Sequence, residues 1–100
     1  MNVEFLPEAN SELMDAVSYY EGELPGLGQR FWEEIDQHIA WIEQNPEIPP
    51  LRAGGYRRVN LRVFPYYVVY IVREPIIWVL SVAHGHRLPN YWIDRMPPSV

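Results

Sequence analysis

A short C-terminal stretch of this 100-residue chain collects the side chains that could perform acid–base or phosphate chemistry. His84, His86, Arg87 and Tyr91 follow directly on an apolar, strand-like run over residues 77–83. Histidine titrates near neutral pH, and the planar fork of arginine binds phosphates or carboxylates through paired hydrogen bonds. A buried strand holds its backbone rigidly, so groups at its exit are well positioned for such work. Alternatively, each residue has an ordinary packing or surface role at the end of a strand.

The basic residues are unusual in both kind and distribution. All 8 are arginine, they stand against 13 acidic residues, and the formal net charge is −5. Net acidity without lysine disfavours general binding to a nucleic-acid surface. Residues 4–47 hold 11 acids and one arginine, whereas residues 52–95 hold 7 arginines and two acids. The basic half could therefore bind an acidic partner, or the two halves could neutralise each other within the fold.

Composition limits the remaining classes of protein. The hydrophobic fraction of 48% supplies the core of a single domain over residues 1–100 and argues against a disordered chain. Because cysteine is absent, disulfides, thiolate metal sites and a cysteine nucleophile are excluded, and only the histidines could offer soft metal ligands. We expect neither a metal nor another cofactor. Uncharged apolar runs such as residues 76–83 are far too short to span a membrane, and the N-terminus has no basic leader-like region. We therefore expect a cytoplasmic protein.

Hydrophobic periodicity predicts the elements that position the C-terminal cluster. A short strand over residues 3–6 precedes one helix from Pro7 to Glu21 and a second from Leu27 to Asn45, with a Gly- and Pro-containing turn between them. After a Pro-rich loop, residues 58–63, 66–72 and 76–83 have the patterns of three strands joined by short turns. The prediction is an α+β domain in which an antiparallel helical hairpin packs on an antiparallel sheet, followed by a short C-terminal helix.

Several short strings occur along the chain in an order that matches a known family. They are Glu8-Ala9, Glu12-Leu13, Tyr19-Tyr20-Glu21, Pro25 to Phe31, Asn45-Pro46, Tyr56-Arg57-Arg58, Phe64-Pro65-Tyr66, Val82-Ala83-His84 and Arg87 to Trp92. The chain resembles the ParE/RelE superfamily of bacterial type II toxins, and more closely its ParE-like branch, the plasmid stabilisation proteins. The resemblance extends over nearly the whole chain and agrees with the order of elements predicted from periodicity.

This resemblance implies a toxin that is neutralised by a small, ParD-like or similar antitoxin encoded beside it. In the family, the tail of the antitoxin wraps the helical hairpin and sheet of the toxin. The arginines suited to pairing with carboxylates of the antitoxin or target are Arg57, Arg58 and Arg62. The aromatic side chains that could anchor a partner are Tyr19, Trp32, Trp41 and Trp92. The alternative for the helix aromatics is packing in or beside the core.

The superfamily divides by target, and the sequence leaves this division open. RelE-like members cleave messenger RNA on the ribosome, which requires a base, an acid and cations around the scissile phosphate. The residues on the matching motif are His84, Arg87 and Tyr91, to which Arg57 or Arg58 could contribute. ParE-like members inhibit DNA gyrase, and the lack of lysine and the net acidity favour that function here. A non-toxic interaction module that retains the antitoxin-binding groove is a further alternative.

Overall fold

The computed structural model describes residues 1–87 and 90–97 of the chain. Its elements follow in the order β1 (Asn2–Phe5), α1 (Pro7–Glu23), α2 (Leu27–Gln44), β2 (Arg57–Asn60), β3 (Tyr66–Arg73) and β4 (Ile76–His84). The predicted α+β class, with a strand, two helices and then three strands, is confirmed. Within these ranges, neither helix combines the length and apolar character that a membrane crossing requires.

The four strands form one mixed sheet in the order β1-β4-β3-β2. The pairs β2–β3 and β3–β4 are antiparallel, as predicted. The prediction of a wholly antiparallel sheet requires correction, because β1 pairs with β4 in parallel. Since β1 pairs only with Ile76 to Val79 of β4, residues 80–84 of β4 extend beyond it, and the described part of the chain places no strand beside them on that side.

The hairpin of α1 and α2 is held at its turn by a side chain of α1. The Glu21 carboxylate accepts the backbone N–H groups of Gly26 and Gly28 at 3.0 and 3.1 Å, which would otherwise be unpaired at the start of α2. Gly26 has φ 92°, a conformation that favours glycine. A Cβ on Gly28 would lie 2.6 Å from the carbonyl oxygen of Val17, so glycine permits the close approach of the helices here.

An aromatic cluster joins the hairpin to the sheet. Tyr20 of α1 and Phe31 of α2 pack against Phe64 with ring centroids 4.7 and 5.0 Å apart, and Phe31 lies 5.0 Å from Tyr66 at the start of β3. Edge-to-face pairs of this kind stabilise a core beyond their burial alone. The cluster fixes α1 beside the end of β4 at which His84 lies, because Tyr66 and His84 are paired across the ladder.

The β3–β4 ladder contains one irregularity that affects the site. Val69 is paired with Ser81 and Tyr70 with Val79, so Leu80 is the extra residue of a β-bulge in β4. The bulge shifts the alternation of β4 by one position. It lies where β4 begins to extend beyond β1.

One predicted strand and the predicted C-terminal helix differ most from the structure. The strand predicted over residues 58–63 ends at Asn60, because the backbone N–H groups of Arg62 and Val63 turn toward the Glu34 carboxylate on α2. The short C-terminal helix is not confirmed, since Asn90 to Asp94 form turns. Asn90 has φ 67°, outside the right-handed helical region, which interrupts a helix at that position.

Candidate functional site

The C-terminal cluster and α1 enclose a cleft of about 280 Å³, which we call the His84 cleft. Its lining residues are Glu12, Asp15, Ala16, Tyr19, Tyr66, Val82, His84, Arg87 and Tyr91. The fold therefore brings together the three side chains that the sequence nominated for catalysis, and α1 adds Tyr19. It also brings two carboxylates, those of Glu12 and Asp15, into the same cleft.

His84 is the last residue of β4, and its ring is fixed by its neighbours. The ring lies edge-on to Tyr66 and His86, with centroids 5.0 and 4.9 Å away. Its Nδ1 accepts the backbone N–H of His86 at 3.0 Å. We therefore assign the neutral tautomer with its proton on Nε2, so the nitrogen left to interact with a ligand is a donor in this state.

Arg87 and Tyr91 are engaged with each other and with α1. The Arg87 guanidinium carbon lies 4.1 Å from the centroid of the Tyr91 ring, in a cation–π contact. The Tyr91 hydroxyl donates to the Glu12 carboxylate at 2.7 Å. Burial, together with the neighbouring negative charge of Glu12, raises the pKa of Tyr91 to about 12. The phenol is therefore protonated and committed as a donor near neutral pH.

Glu12 is the shared acceptor of several hydrogen bonds in the His84 cleft, and it was not predicted from the sequence as a site residue. Its carboxylate accepts hydrogen bonds from the Ser81 hydroxyl at 2.8 Å, the Val82 N–H at 3.0 Å and Tyr91, and both terminal nitrogens of Arg95 lie 3.0 Å from it. Burial by itself raises the pKa of Glu12, but the hydrogen bonds from Arg95, Tyr91 and Ser81 and the charge of Arg95 outweigh it. The net pKa lies below the ordinary 4.5, so the carboxylate is charged at neutral pH.

The Glu12–Arg95 pair closes the edge of β4 that extends beyond β1. Glu12 accepts the N–H of Val82, and Arg95 donates to the carbonyl oxygen of Leu80 at 2.8 Å. One acceptor and one donor side chain thus stand where the backbone of a neighbouring strand would pair. An open edge exposes such groups to unwanted strand pairing, and this ion pair covers them.

A partial signal for this pairing was present in the sequence. The acidic first half and the arginine-rich second half suggested neutralisation within the fold, and the Glu12–Arg95 ion pair is one instance, at 3.0 Å. Which residues would pair was not evident. The two residues are 83 positions apart in the sequence, and their contact depends on how the segment after β4 returns to α1, which no local pattern encodes.

The three arginines proposed for partner binding do not form one patch. Arg57 is directed toward the loop after α2, where it donates to the carbonyl oxygens of Glu47 and Pro49 at 3.2 and 2.6 Å. Arg58 stacks on the Tyr67 ring at 4.0 Å, on the sheet face away from Arg57. Arg62 is exposed in the loop after β2. A shared surface therefore requires a partner that reaches over the edge of the sheet.

The candidate aromatic anchors divide into exposed and buried groups. The side chains of Tyr19, Trp32 and Trp41 are 58%, 42% and 41% exposed, so each presents a surface to solvent. Trp92 is only 1% exposed, and its ring packs edge-on against Tyr67. The prediction that Trp92 lies on the binding surface is therefore wrong for this structure, because the turns at residues 90–94 insert the indole into the core.

An open groove runs between α2 and the edge strand β2, and we call it the α2–β2 groove. Its volume is about 310 Å³, and it is lined by Gln37, His38, Trp41, Val59 and Arg62. Arg62 and Gln37 also line the adjoining cavity of about 450 Å³, which continues along α2 to Arg30. The groove thus combines an exposed indole with an exposed guanidinium, a combination common in protein-binding surfaces.

Comparison with known proteins identifies the class of fold. The chain matches a solved chain described as the chromosomal ParDE TA system from P. aeruginosa, with a TM-score of 0.74, 17% identity, and coverage of 84% of this chain and 95% of that one. At this identity the likeness concerns the fold: two helices packed on a four-stranded mixed sheet.

Sequence relatives identify the family. A curated protein named Toxin ParE2, found in two strains of Mycobacterium tuberculosis, CDC 1551 / Oshkosh and H37Rv, is 34% identical over 80 residues, which cover 79% of this chain and 76% of the relative. Residues 3–89 match the family model of the ParE toxin of type II toxin–antitoxin system, parDE. The chain therefore belongs to the ParE family of type II toxins, as its sequence strings had indicated.

Proposed function

We propose that this chain is a cytoplasmic toxin that inhibits DNA gyrase by binding, and that a cognate ParD-like antitoxin neutralises it. Membership of the ParE family supports a toxin with an antitoxin partner. The resemblance to gyrase-inhibiting members supports the target. The observation that favours binding over RNA cleavage is the charged Glu12 carboxylate in the His84 cleft.

A nuclease site must stabilise the negative charge that develops on the scissile phosphate. The His84 cleft offers Arg87, but it sets the carboxylates of Glu12 and Asp15 beside it. Arg95 offsets only one of them, through its ion pair with Glu12. A phosphodiester entering this cleft would meet acidic groups at short range, which argues against the RelE-like alternative.

The proton-transfer groups are poorly suited to cleavage as well. A general acid or base works best with a pKa near the operating pH, and Tyr91, with a pKa of about 12, is far from it. The Nδ1 of His84 is already occupied by the His86 N–H. A binding function does not require proton transfer, and the exposed Arg87 and Tyr19 remain available for contacts with a target.

The target can be tested by expressing the chain without its antitoxin. We expect growth arrest and inhibition of supercoiling by purified gyrase, while transcripts remain intact. Arg87→Ala should weaken gyrase inhibition through lost contacts, and Tyr91→Phe should change it little provided the fold is retained. Ribosome-dependent transcript cleavage that Tyr91→Phe abolishes would establish the RelE-like alternative instead. Normal growth would indicate a non-toxic interaction module.

The α2–β2 groove is the surface that we propose for the antitoxin. Its exposed Trp41 can serve as an anchor, and Arg62 can pair with an acidic group of the antitoxin tail. Charge reversal of Arg58 and Arg62 together should weaken the complex by about 2 kcal/mol if the pairs are desolvated, and by much less at a solvated rim. Calorimetry on the separate variants should attribute most of the loss to Arg62, because Arg58 is already stacked on Tyr67.

A further inference from the structure

The edge strand β2 has one side that is free to pair. Leu61 donates its N–H to Tyr66 of β3, so within β2 the backbone groups of Arg57 and Val59 also point toward β3. Because backbone direction alternates along a strand, the N–H and C=O groups of Arg58 and Asn60 point away from the sheet. No group in residues 1–87 or 90–97 donates to or accepts from them.

This free stretch is closed at both ends. Before it, the carbonyl oxygen of Tyr56 accepts the N–H of Arg52 at 2.8 Å across an isolated bridge. After it, the Glu34 carboxylate accepts the N–H of Arg62, the next group that points the same way. The outward pairing groups are thus satisfied on either side of Arg58 and Asn60, so along β2 these two residues present the backbone donors and acceptors that nothing in the described chain pairs. The window suits a short strand of about three residues.

The charges and the groove around the window specify what could occupy it. Residues 48–73 contain five arginines and no acid, although the chain as a whole carries a net charge of −5. On the helix side of β2, Val59 and Trp41 line the α2–β2 groove. A strand that paired with β2 would direct alternate side chains into this groove and the others toward the face of Arg58.

We propose that the window at Arg58 and Asn60 is a strand-addition site for an extended segment of the antitoxin that carries an apolar residue flanked by acidic ones. The apolar side chain lies between Trp41 and Val59, and the carboxylates pair with Arg62 and with the exposed edge of Arg58. Main-chain hydrogen bonds supply much of the contact, and the groove supplies selectivity. This inference rests on the proposed antitoxin complex and specifies how the α2–β2 groove recognises its partner.

The test compares Asn60→Pro with Asn60→Ala. Proline removes the outward N–H of residue 60, and at this position it breaks no bond to β3. Alanine keeps the N–H and removes only the side chain, which accepts a hydrogen bond from Arg58 in the wild type. With the small protein encoded by the adjacent reading frame as the probe, calorimetry should show about tenfold weaker binding for Asn60→Pro than for Asn60→Ala, the effect of one backbone hydrogen bond.

Amide hydrogen exchange on the wild-type complex provides a second measurement that does not require the proline variant to fold. The N–H groups of Arg58 and Asn60 should become protected on binding, whereas the N–H of Arg62, already bonded to Glu34, should change little. A complex that forms with equal affinity for both variants, or that leaves these amides unprotected, overturns strand addition and leaves the antitoxin function intact. Failure of the wild-type chain to bind this probe overturns both.

Discussion

Two stretches of the sheet edge, the part of β4 beyond β1 and the outer side of β2, differ in how the chain covers them. Beyond β1, the edge of β4 is covered by the side chains of Glu12 and Arg95, which bind the N–H of Val82 and the carbonyl oxygen of Leu80. The edge of β2 is closed only at its ends, and Arg58 and Asn60 between them present their backbone groups outward. An uncovered edge risks aggregation unless a partner covers it, which agrees with our proposal that the β2 edge beside the groove binds the antitoxin.

Each edge is met by a glutamate from a different helix, and the two glutamates differ in their surroundings. Glu12 of α1 has Arg95 as counter-ion and accepts from two hydroxyl groups in addition to the backbone. Glu34 of α2 is 8% exposed and, within residues 1–87 and 90–97, accepts only the backbone N–H groups of Arg62 and Val63. Glu12 therefore secures a closed network, whereas Glu34 sets the shape of one loop.

The largest expected effect is the loss of the closed edge in Glu12→Ala. This change leaves Arg95 without its counter-ion and removes the acceptor of Ser81, Val82 and Tyr91, all in a largely buried site. We expect the free energy of unfolding to fall by about 3 kcal/mol, measured by urea denaturation. Glu43→Ala, an exposed glutamate in α2, is the matched control and should change it by less than about 0.5 kcal/mol. Equal losses in the two variants would refute the central role of Glu12.

A smaller loss is expected at the other edge, in Glu34→Ala. The variant leaves the N–H groups of Arg62 and Val63 without an acceptor, and the chain can partly rehydrate them because both residues are exposed. The free energy of unfolding should fall by about 2 kcal/mol. The neighbouring exposed Glu33→Ala should have little effect. If Glu34→Ala destabilises the fold more than Glu12→Ala, the contrast between the two edges is reversed.

Much of the fold could be predicted from the sequence because local patterns carry it. Helix periodicity, Pro7 at a helix start and the alternation of apolar residues gave the elements to within a few positions. The end of β2 and the turns at residues 90–94 could not be predicted, since they depend on the Glu34 carboxylate reaching the N–H of Arg62 and on the conformation of Asn90. The grouping of His84, Arg87 and Tyr91 could be predicted from their spacing. The role of Glu12 could not, because it depends on a contact with Arg95, which lies 83 positions later in the chain.

Tyr91→Phe should sharpen the comparison by removing one hydrogen bond from the closed edge. The hydroxyl donates to a charged acceptor, so we expect a loss of about 1.5 kcal/mol in the free energy of unfolding. The control Tyr19→Phe removes a hydroxyl from a side chain that is 58% exposed and should be near neutral. Thermal denaturation of both variants tests this difference. If the Tyr91 phenol merely filled space, Tyr91→Phe and Tyr19→Phe would lower the free energy of unfolding equally little.

The smallest expected effect is the acid response of the closed edge. The hydrogen bonds and the charge of Arg95 hold the pKa of Glu12 below 4.5 against the opposing effect of burial. The unfolded chain therefore binds a proton at this carboxyl before the folded chain does, so the stabilisation is complete above about pH 4.5 and is lost as the pH falls through the lower, folded value. Glu12→Gln lacks this titration. The gap in unfolding free energy between the wild type and Glu12→Gln should thus be constant near neutral pH and narrow below about pH 4.5, as measured by urea denaturation across the acid range. A gap that widens on acidification would mean that the protonated carboxyl serves the edge better than the ion pair does, and the β4 edge would then be closed by hydrogen bonding alone.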